Sequence, residues 1–164
     1  MDHPDAAPHR NPDGPVEDFR ECSVAATVAV CGDKWLLLAL RDISAGVRRF
    51  EQIVRSTGAP RDVLTARLRK LEADGILRRQ RYSDRPPRYE YLLTDRGYDL
   101  VPVLLALRQW GDKHVPGRPP TLVEHSCGAT FVPRLTCDAC EQPVRPGTLA
   151  VTFVDPGADP RRTG

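Results

Sequence analysis

From Ala59 to Gly75 the chain reads APRDVLTARLRKLEADG, and no other stretch restricts the fold as much. Pro60 suits the first turn of a helix, where its missing N–H is not needed, and Gly75 is a C-terminal stop. Leu64, Leu68 and Leu71 recur at i, i+4 and i+7, a narrow apolar stripe. Asp62, Thr65, Ala66, Arg69 and Lys70 fall on or near the opposite side, and Arg61 and Arg67 flank the stripe. One helix therefore carries a core face and a polar, net-positive outer face with a small residue at its centre. The next segment, ILRRQRYSDRPPRYEYLLT, alternates over Leu77–Tyr82 and Arg88–Leu93 around SDRPP, which predicts a β-hairpin. Arginines lie on both strands, and Arg85 and Arg88 sit at the tip.

The flanking segments predict helices. Phe19–Cys31 places apolar side chains at Phe19, Cys22, Ala26 and Val30, with Val24 and Val28 beside them, as in a mostly buried helix. Gly32 ends it, and Asp33 stands ready to cap the next helix, Lys34–Arg41. Arg48–Thr57 forms a short helix with Phe50, Ile53 and Val54 on one face, stopped by Gly58. Thr94 or Asp95 caps a last helix running to His114, in which Pro102 either makes a kink or marks the first turn. Trp35, Phe50, Leu64, Leu68 and Trp110 read as core.

Charge then separates one part of the chain from the rest. The 164 residues carry a net charge of +2. Between Arg41 and Arg96 there are 14 Lys/Arg against 8 Asp/Glu, a local +6 that leaves −4 for the remainder. A basic middle on a near-neutral chain is the footprint of a nucleic-acid face. Three helices, a hairpin and a closing helix, with the charge on the third helix of the trio and on the hairpin, make a winged helix-turn-helix. The fold class is mainly α with a β-hairpin wing (α+β). Such a helix fits a major groove about 12 Å wide while the wing arginines reach phosphates. The helical wheel points Thr65 and Arg69 at base edges; Arg61 and Arg67, nearer the stripe, suit phosphates or neighbouring structure. The rival reading is a winged-helix protein-interaction module with a zinc-stabilised tail and no specific operator. No Ser-His-Asp set, P-loop or HExxH motif points to an enzyme.

Several runs together resemble the HxlR-type winged-helix transcriptional regulators: GDKWLLLALRD (32–42), RRFEQI (48–53), LTARLRKLEADGIL (64–77), DRPPRYEYLLTDRGYDL (84–100) and VPVLLALRQWGDKH (101–114), with Cys22 ahead of the first helix. The resemblance covers about 22–114. It implies a homodimer joined through the first and last helices, bound to double-stranded DNA at a pseudo-palindromic operator and open to a small-molecule effector. It puts Lys34 near the DNA backbone, Arg61, Thr65, Arg67 and Arg69 on the recognition helix, and Arg85 and Arg88 on the wing; Arg49 completes the expected DNA face. Ala59-Pro60-Arg61-Asp62 departs from the family's common Ser-Pro-Arg start, so no operator sequence carries over. Some relatives use the cysteine before the first helix as a thiol sensor. Cys22 matches that position, while the residue-level reading is a thiol packed as a small hydrophobe.

The ends form a separate question. Residues 1–16, with four prolines and few large apolar side chains, read as a disordered tail; 17–114 is the DNA-binding and dimerisation body, 115–120 a linker, and 155–164 a flexible tail. Between them, 121–154 is a small β module holding His125-Ser-Cys127 and Cys137-Asp-Ala-Cys140. Two close pairs of N/S donors are how a tetrahedral zinc is held, as in a zinc ribbon, and so short a module has little core of its own. The Cys pair has standard spacing; the His–Cys pair is tighter, and a hairpin with free thiols is the other reading. Cys22 and Cys31 are nine helical residues and about 13.5 Å apart, too far for a disulfide. Without an apolar N-terminal signal or a membrane-length apolar run, the expected setting is the cytoplasm, with no membrane.

Overall fold

The computed structural model describes residues 22–117, 121–145 and 147–149. The two expected tails, the start of the first helix at Phe19 and part of the linker lie outside the described residues. The chain divides into two units, Ser23–Pro133 and a second that contains Cys22 and the segment from Arg134 on.

The first unit begins with α1 (Ser23–Cys31) and α2 (Lys34–Ser44), followed by α3 (Phe50–Thr57) and α4 (Arg61–Ala73). Asp33 caps α2 as expected: its carboxylate accepts the N–H groups of Trp35 at 2.9 Å and Leu36 at 3.2 Å. Gly58 ends α3 with φ 69°, a left-handed conformation that glycine adopts without steric cost. Leu36 and Leu40 of α2, Ile53 of α3, Leu64, Leu68 and Leu71 of α4, and Ile76 are fully enclosed. The three leucines of the stripe therefore face the core, and the helix-turn-helix is built around them.

The wing follows as β1 (Leu77–Asp84) and β2 (Pro87–Leu93), antiparallel, with Leu77 opposite Leu93 and Arg79 opposite Tyr91. The strands extend further toward the tip than the alternation suggested, leaving Arg85–Pro86 as the turn. Only the basal Leu77 and Leu93 are buried, so the hairpin projects beyond the core. A feature the sequence pattern did not disclose ties it down: Tyr91 N–H donates to the Arg48 carbonyl at 2.9 Å, and Arg49 bridges Glu90.

The closing helix is two helices, α5 (Asp95–Tyr98) and α6 (Val101–His114). Thr94 is the cap of α5, accepting the Gly97 N–H at 3.2 Å and donating to the Gly75 carbonyl at 2.7 Å. Gly97 lies so close to the Ile76 carbonyl oxygen that a Cβ would collide with it. Pro102 sits in the first turn of α6, where no N–H is required. The proline thus starts a new helix rather than kinking an old one.

Two burial expectations are corrected. Helix α1 is not mostly buried: only Cys31 is enclosed, and Val28 is 59% exposed. Trp110 is 62% exposed and no core residue, because α6 turns that face away from α2. Trp35 and Phe50 are half-buried against the core. Arg108 of α6 donates to the carbonyls of Thr121 and Phe131, which fastens 121–131 to the helical body. Among the described residues no single helix is long and apolar enough to cross a membrane.

Candidate nucleic-acid interface

The outer face of α4 carries what the helical wheel assigned to it. Ala66 and Arg69 are exposed, and among the described residues Arg69 forms no ion pair. The half-buried Thr65 hydroxyl donates to the Arg61 carbonyl at 2.7 Å, so its oxygen lone pairs are what it can offer outward. Arg69 is thus a free guanidinium on a helix face beside a residue with no bulk.

Arg61 and Arg67, on the same helix, are held within the protein. Arg61 grips Glu51 of α3 in a fork, with N–O distances of 2.7 and 2.5 Å, and lies 5.3 Å from the Phe50 ring centre. That hydrogen-bonded fork keeps the Glu51 carboxyl below its ordinary pKa and raises that of Arg61. Arg67 pairs with Asp33 at 3.2 Å, joining α4 to the cap of α2. Burial opposes the charge on Asp33, but the Arg67 guanidinium and the N–H groups of Leu36 and Trp35 outweigh it, and its pKa is lowered. These two arginines set the angle at which α4 is presented.

Lys34 is exposed at the first turn of α2, with its ammonium 4.3 Å from the Trp35 ring centre. On the wing, Arg85 and Arg88 are exposed at the tip. Arg79 pairs with Glu72 of α4 at 2.9 Å, which braces the wing against the recognition helix. Arg49 stacks over the Tyr82 ring at 4.7 Å. Cation–aromatic stacking and the backbone bridge to Glu90 fix this arginine beside the wing, a juxtaposition with no local signal in the sequence.

The expected metal ligands fall in two close pairs. His125 and Cys127 converge, Nδ1 to Sγ 3.3 Å, because the chain turns there, closed by Gly128 N–H on the His125 carbonyl at 2.8 Å. In the second unit, Cys137 and Cys140 sit on a tight turn closed by Glu141 N–H on the Cys137 carbonyl at 2.8 Å. The backbone N–H groups of Cys140 and Ala139, with the Cys140 thiol, hold the Cys137 thiol below its ordinary pKa. Thiolate character suits a metal ligand. Among the described residues no three His, Cys, Asp or Glu side chains are grouped as a metal site. Cys22 is half-buried, whereas Cys31 is buried and its thiol is pushed up by burial, partly offset by Lys70.

A helix-turn-helix whose second helix turns small and basic residues outward, braced to an arginine-tipped hairpin, defines a winged-helix DNA-binding protein. The HxlR-like helix-turn-helix family model matches residues 30–118, and the chain belongs to that family of transcriptional regulators. Rv3095, an HTH-type transcriptional regulator of Mycobacterium tuberculosis, is 42% identical over 129 residues, 77% of this chain and 82% of that protein. The crystal structure of the transcription factor PA1607 superposes with a TM-score of 0.70 at 31% identity, covering 84% of this chain and 99% of that one. The redox regulator HypR in its reduced form gives a TM-score of 0.53 at 34% identity, over 58% of this chain and 95% of that one.

Proposed function

We propose that this regulator binds a pseudo-palindromic operator as a homodimer, with α4 of each protomer in a major groove. The observation that carries this reading is the division of labour on α4: Leu64, Leu68 and Leu71 are fully enclosed, Arg61 and Arg67 are paired internally, and Arg69 faces outward beside Thr65 and Ala66. Arg69 and Thr65 read base edges; Lys34, Arg49, Arg85 and Arg88 hold the backbone. The exposed Val24 and Val28 on α1, with Val103, Leu107 and Trp110 on α6, support the two-fold contact.

Retention of fragments from the source genome by the purified protein should yield one sequence class with inverted half-sites. Arg69→Ala should cost about 1–3 kcal/mol on that class and relax its sequence preference, while Arg88→Ala weakens all duplexes alike. Equal losses on selected and random DNA for both variants would overturn the assigned roles.

Thiol and metal chemistry are secondary to this reading. The likeness to the redox regulator HypR supports Cys22 as a thiol sensor, since it is less enclosed than Cys31. A Cys22→Ser protein should then lose its change in DNA affinity on oxidant treatment. The thiols of Cys137 and Cys140, two residues apart on one tight turn, are a donor pair whose chemistry suits zinc. Metal analysis should find close to one zinc per chain; free thiols with no zinc would discard it.

A further inference from the structure

A groove of about 480 Å³ lies between α3 and the wing. Arg49, Arg55 and Arg88 line it, together with Gln52 and the rings of Tyr82 and Tyr89. Its acidic residue, Glu51, is already neutralised by the Arg61 fork. Among the described residues neither Arg55 nor Arg88 forms an ion pair, and Arg49 is held by a ring and a backbone bridge rather than by a carboxylate. Three guanidinium groups lining one groove without a free counter-charge repel one another, and an anion between them removes that cost. The flat walls formed by Tyr82 and Tyr89 are apolar on their faces and end in hydroxyls, which suits a sugar more than an isolated inorganic ion.

We propose that this groove seats the sugar–phosphate backbone of the bound duplex, and that Arg55 is a phosphate-contacting residue contributed by α3. The inference rests on the DNA-binding reading above and extends it to α3, which that reading leaves unused. Arg55 lies on the exposed side of α3, away from the face that carries the enclosed Ile53. A residue so placed adds affinity without adding sequence preference.

The test uses the full chain as wild type, Arg55→Ala and Arg55→Lys, titrated by fluorescence anisotropy against a duplex of about 30 base pairs of mixed sequence over a range of salt. One lost phosphate contact lowers the slope of log affinity against log salt by about one and weakens binding about eightfold at ~0.1 M salt. Arg55→Ala should show that change, and Arg55→Lys should recover most of it; circular dichroism should match wild type for both. An unchanged slope in Arg55→Ala, with the wild type binding the duplex, overturns the groove proposal and leaves the DNA-binding reading standing. A loss confined to operator fragments also overturns it, because that would make Arg55 a base-reading residue. A wild-type protein that binds no duplex at low salt overturns the DNA-binding reading itself.

Discussion

Helices α4 and α6 are almost the same length, 13 and 14 residues, and their burial is opposite. α4 is the more polar of the two by sequence, yet three of its side chains are fully enclosed. α6, with Val101, Val103, Leu104, Leu105, Leu107 and Trp110, has no buried residue. Apolar content therefore does not measure how much of a helix its own chain covers. α4 is enclosed by α2, Ile53 and the base of the wing, and its remaining surface is polar. α6 meets α2 through Leu104 and Val101 only partly, and turns Leu107 and Trp110 outward, where water makes them costly. One helix is completed by its own fold; the other leaves an apolar face uncovered, which the proposed dimer would bury against a second copy.

The largest expected effect tests the enclosed side of this contrast. Leu68→Ala removes a fully buried side chain and should destabilise the body by about 2–5 kcal/mol, read from urea unfolding. A loss below about 1 kcal/mol would mean that α4 is less completely packed than its burial implies. The outward face of α6 should behave otherwise. Leu107→Asp should move the protein from dimer to monomer in sedimentation equilibrium while its far-ultraviolet circular dichroism stays native. A wild-type protein that sediments as a monomer at micromolar concentration would break the comparison.

The smallest effect concerns how α4 is tied in. Asp33 caps α2 and accepts Arg67 of α4, so Asp33→Ala should cost about 1 kcal/mol, the usual value of a helix cap. Its lowered folded pKa gives the sign of the pH dependence. The stabilisation is present above the ordinary aspartate value of 3.8 and is lost as pH falls through the folded value. Wild type and Asp33→Ala should therefore converge in stability on acidification and diverge again toward neutral pH. A gap that widens in acid would exclude the Arg67 pairing.

The regular parts of this fold were legible because their causes are local. The Leu64, Leu68, Leu71 stripe, the Asp33 cap, the Gly58 and Gly75 stops and the wing alternation each depend on residues a few positions apart. The break between α5 and α6 was harder to see. Pro102 admits a kink or a start, and the choice is made by Thr94 reaching Gly75 and by Gly97 packing on Ile76, both contacts across about twenty residues.

Which of the basic residues would be free was also not written in the sequence. Arg61, Arg67 and Arg69 share one helix and one charge, and the wheel could rank them only by angle. Glu51 on α3 and Asp33 at the cap of α2 take the first two and leave the third. Arg55 carried no signal at all, because nothing in its own helix relates it to the wing.

The sequence by itself determined the order of helices and hairpin, the start of α2 at its Asp33 cap, which face of α4 turns inward, and that the basic charge follows that helix. Hydrophobic periodicity and capping chemistry act within a turn or two of the chain, so they survive without a fold. The tertiary structure decided which arginines are spent on internal partners, that residues 48–49 fasten the wing, and that Trp110 faces outward. Those outcomes depend on groups distant in sequence meeting at distances of 3–5 Å, where hydrogen bonding, ion pairing and stacking act and where a helical wheel has no reach.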